Sequence, residues 1–68
     1  MITVQSSDLA GVDHDWSGRL IIAFHSGGVY EYYGVPYSEY EALMNASSHG
    51  KYFYAHIKGR YSYQKISG

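Results

Sequence analysis

Two alternating apolar runs joined by a glycine turn constrain this chain more than any other feature. In Arg19-Leu20-Ile21-Ile22-Ala23-Phe24, the residues Leu20, Ile22 and Phe24 fall at every second position. Successive side chains of a strand point to opposite faces, so these three share one side. Ser26-Gly27-Gly28 then supplies residues that tolerate positive φ, and Val29-Tyr30-Glu31-Tyr32-Tyr33 alternates again. The pattern predicts an antiparallel hairpin. Upstream, the shorter apolar stretch Leu9-Ala10-Gly11-Val12-Asp13 leads into the turn signal Asp15-Trp16-Ser17-Gly18, which predicts a further strand antiparallel to the Leu20 strand.

Beyond Tyr33 the apolar period lengthens from two to about 3.6. Pro36 suits a first helical turn, and Ser38 with Glu41 has capping-box spacing, so a helix is predicted from Pro36 to Asn45. Its stripe is Tyr37, Tyr40, Leu43 and Met44. Ser47 or Ser48 is placed to cap a second short helix that carries Tyr52, Phe53, His56 and Ile57 and stops at Gly59. Arg60-Tyr61-Ser62-Tyr63-Gln64-Lys65-Ile66 alternates as a last strand. The predicted order β-β-β-α-α-β is an α+β fold: a small antiparallel meander, two short helices packed on one face, and a C-terminal strand.

The 68 residues make one domain, residues 1–68, near the lower size limit for independent folding. With no cysteine, neither a disulfide nor a thiolate zinc site can hold it, so the core must. Tyrosine, at nine residues, is the most frequent apolar type, which excludes disorder. The longest apolar run, Leu20 to Phe24, is far too short for a membrane span, and Ile2 to Ser6 has no secretion-signal character. A cytoplasmic chain is expected. The formal charge of −1 conceals an asymmetry: all six acids precede Ala42, with Arg19 their only basic companion, whereas Lys51, Lys58, Arg60 and Lys65 follow it. A basic face could serve a polyanion despite the low net charge.

In this order and spacing several segments form a specific series. They are Ser6-Ser7, Leu20-x-Ile22-x-Phe24, Gly27, Tyr30-Glu31-Tyr32, Val35-Pro36, Tyr40, Leu43, Ala46-Ser47, Gly50, Tyr52-Phe53, Ile57 and Tyr61-x-Tyr63-x-x-Ile66. From about Ser6 to Ile66 the chain resembles the KTSC family, and Tyr30-Glu31-Tyr32 matches that family's YxY motif. The family is a short domain named for the C-terminus of some lysyl-tRNA synthetases and is also found as stand-alone bacterial or phage proteins. The resemblance implies a domain of undetermined function for which RNA binding has been suggested.

The residues themselves point the same way. Tyr30 and Tyr32 lie two apart on a strand, as do Tyr61 and Tyr63, and such pairs can stack unpaired bases while Arg60 and Lys65 neutralise phosphates. The competing reading makes these rings the filling of a core short of aliphatics. Asp13-His14-Asp15-Trp16-Ser17-Gly18 imitates the opening of a calcium loop, but its twelfth position is Phe24, so it reads as a turn and no metal site is expected. His49 and His56 are about 10.5 Å apart along a helix, too far to share an ion, and His14 with His25 is the remaining pairing. His25-Ser26 cannot form a nucleophile and base, because adjacent strand residues face apart. No phosphate loop occurs. Asn45-Ala46-Ser47 reads as a helix end rather than a glycosylation site.

The expectation is a non-enzymatic module without cofactor that binds RNA or another single-stranded nucleic acid. Lys51, Lys58, Arg60 and Lys65 contact phosphates and Tyr61 and Tyr63 stack. The alternatives are a protein-interaction or self-assembly module, and a tyrosine-lined pocket for a small anionic ligand with a lysine or arginine at its mouth.

Overall fold

In the computed structural model, which describes all 68 residues, the chain runs β1 (Ile2–Thr3), β2 (Leu9–His14), β3 (Leu20–Phe24), β4 (Val29–Tyr32), α1 (Tyr37–Asn45), α2 (His49–His56) and β5 (Tyr63–Ser67). The five strands form one antiparallel sheet whose spatial order, β1-β2-β3-β4-β5, follows the sequence. After both helices, β5 therefore returns beside β4. The predicted hairpin is present: Leu20 lies opposite Tyr32 and Ile22 opposite Tyr30. The α+β architecture stands with one strand more than expected. Ile2 and Thr3 pair with Val12 and Gly11, and the Met1 side chain occupies the space that a Cβ at Gly11 would need.

The core is built from Leu9, Val12, Leu20, Ile22 and Tyr32 of the sheet, with Leu43 of α1, Phe53 of α2, and Val4, Val35 and Ile57 from the connections. Each fully buried side chain of this size contributes about 1.5–3 kcal/mol. Both helices thus lie on the face that Leu20 and Ile22 share. The opposite face carries Glu31, whose carboxylate accepts hydrogen bonds from Arg19 Nε and, at 2.6 Å, from the Tyr33 hydroxyl. No buried side-chain polar atom lacks a partner.

One helix end differs from expectation and two agree. Pro36 in extended conformation precedes α1, so Ser38 lies inside the helix and the Ser38–Glu41 capping box does not form. Of the two candidate caps for α2 it is Ser48 that acts, accepting a hydrogen bond from Lys51 N at 3.2 Å. After α2, Gly59 at φ +80 reverses the chain, with Arg60 N bonded to Ile57 O at 3.0 Å. Arg60 and Tyr61 are consequently in this connection, and the last strand begins at Tyr63 rather than at Arg60. The turn between β2 and β3 has Gly18 at φ +90 and the Asp15 carboxylate accepting from Ser17 N (2.9 Å) and Ser17 Oγ (2.6 Å). No helix is long and apolar enough to cross a membrane.

Candidate functional site

The register of β4 against β5 sets the geometry of the site. Tyr32 pairs with Tyr63 and Tyr30 with Lys65, which brings these four side chains to the helix-bearing face. The Tyr63 ring lies 5.6 Å from Tyr32 and 5.9 Å from Tyr30 between centroids. Tyr32 in turn meets Phe53 of α2 edge-on at 5.4 Å. Because α2 ends at His56 and the chain turns away at Gly59, the outer part of this face is left uncovered. A groove of about 450 Å³ results, lined mainly by Tyr30, Tyr32, Phe53, Tyr54, Lys58 and Tyr63. Phe53 and Tyr32 are its buried floor, and the rings of Tyr63 (60% exposed) and Tyr54 (47% exposed) are its walls.

The electrostatics of the groove are one-sided. The Lys58 ammonium stands 5.1 Å from the centroid of Tyr54, and that of Lys65 stands 6.0 Å from Tyr30. Neither is in an ion pair, since the only ion pairs are those of Arg19 with Asp15 and Glu31. No acidic side chain lines the groove. Burial, and then the neighbouring Tyr30, Tyr63 and Tyr54, pushes the Tyr32 hydroxyl up to about 12, so it is a neutral donor at pH 7. An open recess with aromatic walls and uncompensated ammonium groups can hold a flat ring and an attached anion.

Of the residues expected to act together, the structure gathers Tyr30, Tyr32, Lys58, Tyr63 and Lys65 and separates Lys51, Arg60 and Tyr61. Tyr61 precedes β5 and does not share a platform with Tyr63. Its hydroxyl donates to Glu39 Oε1 at 2.8 Å, and Tyr52 donates to Glu39 Oε2. Burial raises the Glu39 carboxyl, but the bonds from Tyr52 and Tyr61, with the charges of Arg60 and His56, outweigh it and hold the group below its ordinary value. Arg60 therefore lies within electrostatic range of a carboxylate without forming an ion pair with it. Lys51 lines a second, more open depression that meets the groove at Tyr54, together with Ser7, Asp8 and Ser48. The wall residue that the sequence reading lacked is Tyr54, and its signal was the spacing of four to Lys58, one helical turn.

Three of the four histidines are engaged with backbone, and His56 packs against the Tyr52 ring at 4.4 Å. His14 Nε2 donates to Val35 O at 2.8 Å, His25 Nε2 to Ser6 O at 3.0 Å and His49 Nδ1 to Leu43 O at 2.9 Å. His14 and His25 stand at opposite ends of β3, since His14 pairs with Leu20 and His25 follows Phe24.

The pattern of the KTSC domain matches residues 5–61. The crystal structure of a KTSC domain protein from Yersinia pestis superposes with a TM-score of 0.91 at 35% identity, covering 94% of this chain and 92% of that one. Lysine–tRNA ligases of Trichormus variabilis and Nostoc sp. are 48% and 46% identical to it over 48 residues, 71% of this chain. The matched segment is 9% of the length of each ligase.

Proposed function

The chain belongs to the KTSC domain family, and from that footing we infer that it is a non-enzymatic module that binds RNA or another single-stranded nucleic acid, stacking an unpaired base between Tyr63 and Tyr54. The observation that carries this reading is the groove itself: exposed aromatic walls with two ammonium groups free of ion pairs. Unpaired bases offer π faces to such walls and duplexes do not, and every nucleotide brings a phosphate within reach of Lys58 or Lys65. The relatives named as lysine–tRNA ligases support an RNA partner. The cytoplasm is the compartment that suits a cysteine-free chain with this ligand.

A second reading, a small anionic ligand, is favoured by the groove's volume, which lies in the range of about 300–1,000 Å³ typical of small-molecule sites. Pairing of β5 with another sheet is opposed by Lys65 at the centre of that edge strand.

The test is a fluorescence-anisotropy titration of a short end-labelled single-stranded RNA, its duplex and a competing mononucleotide at two salt concentrations. The reading requires binding that prefers the single strand and weakens with salt. Affinity indifferent to salt, or equal for duplex and single strand, would overturn it. Binding of the mononucleotide as tight as that of the oligonucleotide would select the second reading.

A further inference from the structure

The only tryptophan, Trp16, lies outside the groove and is 92% exposed. It sits in the β2–β3 turn, whose shape is fixed by the Asp15 hydrogen bonds and by Gly18. Its ring is stacked on Tyr37 at 5.7 Å and 18°, and Tyr40 and His14 continue the array behind Tyr37 at 5.6 and 5.1 Å. An indole held on a well-defined turn and backed by other rings has the form of an interface anchor, the role in which tryptophan is most enriched.

Two features say what it fits. The first is charge. Asp15 directly precedes Trp16 and Asp13 stands near the end of the strand before it, and the one nearby cation, Arg19, is shared between Asp15 and Glu31, so the tip is acidic. The second is position. The groove reaches Ser26 in the β3–β4 turn, whereas Trp16 is on the turn at the other end of β3. One molecule therefore carries an acidic aromatic knob at one end and a basic aromatic recess, with unpaired Lys58 and Lys65, toward the other.

We propose that Trp16 of one copy inserts into the Tyr54–Tyr63 groove of a second copy, with Asp13 and Asp15 meeting Lys58 and Lys65. The contact joins two different surfaces, so it leaves a free knob and a free groove at the ends and grows as an open chain rather than closing on a two-fold axis. This association uses the groove but does not require that the groove bind nucleic acid; a nucleic acid would compete with it.

The full chain is followed by sedimentation velocity and by Trp16 emission over a concentration series, without nucleic acid. The expected result is an average mass that rises with concentration, a blue shift of the single tryptophan along the same curve, and reversal of both by salt. Trp16→Ala and Lys58→Glu, both at exposed positions, each weaken association at least about tenfold. Mixed in equal amounts, the two variants form a discrete heterodimer, because one intact knob and one intact groove remain. A mass that stays monomeric throughout, a mass that rises without any change in Trp16 emission, or a mixture that does not pair would overturn the proposal. Each of those results leaves the nucleic-acid titration unaffected, since no nucleic acid is present.

Discussion

Tyr61 gives its hydroxyl hydrogen to Glu39 Oε1 at 2.8 Å, which ties the connection before β5 to α1. Two residues on, Tyr63 has its ring open to solvent beside Tyr32. Two tyrosines of one short sequence pattern thus have different work, the first structural and the second free to meet a ligand.

Their substitutions should separate accordingly. Tyr63→Ala is expected to cost about 1–3 kcal/mol of single-strand affinity, the usual worth of one stacked base, with little change in melting temperature. Tyr61→Phe is expected to leave affinity unchanged and to lower stability by about 1 kcal/mol through the lost hydrogen bond. Anisotropy titrations and urea unfolding of both variants check this, and equal affinity losses for the two would contradict it.

Acid should reveal the Glu39 clamp. The folded carboxyl lies below its ordinary value of 4.5, so its contribution is complete above that pH and is lost as pH falls through the folded value. The difference in urea midpoint between the wild type and Glu39→Gln should therefore be constant near neutrality and shrink below about pH 4.5. A difference that does not change with acid would rule the clamp out.

At the alkaline end the sign is opposite. Tyr52, raised by its hydrogen bond to Glu39 and by burial, and Tyr32, raised chiefly by burial, both lie at about 12 against an ordinary 10.0. Folded protein holds these protons more tightly than unfolded protein, so stability falls as pH rises from about 10 toward 12. Ultraviolet titration should show a late-ionising class of tyrosines that Glu39→Gln and Tyr52→Phe both diminish.

The hairpin was legible because Leu20, Ile22 and Phe24 alternate over a full strand and a Gly-Gly turn follows. Strand β1 was not, because two residues carry no period and its pairing depends on the bare backbone of Gly11, which leaves room for the Met1 side chain. Alternation of Arg60, Ser62 and Gln64 was misleading at its beginning, since the turn at Gly59 continues through Arg60 and Tyr61. Charge pattern and tyrosine density pointed to the C-terminal part, which supplies Tyr54, Lys58 and Tyr63 to the groove. The groove itself was hidden, because it joins Phe24 and Tyr30 to Tyr54 and Tyr63 across a sheet register and a helix that no spacing in the sequence encodes.

Phe53 links the core to the groove floor, meeting Phe24 at 5.6 Å and Tyr32 at 5.4 Å. Phe53→Ala should cost about 3–5 kcal/mol. A domain of this size has on the order of 0.05–0.15 kcal/mol of stability per residue, about 3–10 kcal/mol in all, so the variant is expected to lose a large part of its stability and to melt far below the wild type. Circular dichroism melts decide this, and a cooperative melt close to that of the wild type would show that Phe53 is not a core residue.

Salt dependence distinguishes the groove cations from the others. Lys58→Ala and Lys65→Ala should each shallow the logarithmic salt slope of single-strand binding by about 0.7, one phosphate contact apiece. Arg60→Ala, within range of the Glu39 charge, and Lys51→Ala, in the second depression, should change it less. A larger effect from Arg60 or Lys51 would move the ligand off the groove.

The most direct test of the central claim is a backbone amide chemical-shift titration of labelled protein with a short single-stranded RNA at low and moderate salt. The groove account predicts shifts confined to Ser26 through Tyr32, Tyr54, Lys58 and Gly59, and Tyr63 through Lys65, fading as salt rises. Shifts centred instead on Lys51, Ser7 and Ser48, or no shifts at either salt, would contradict it.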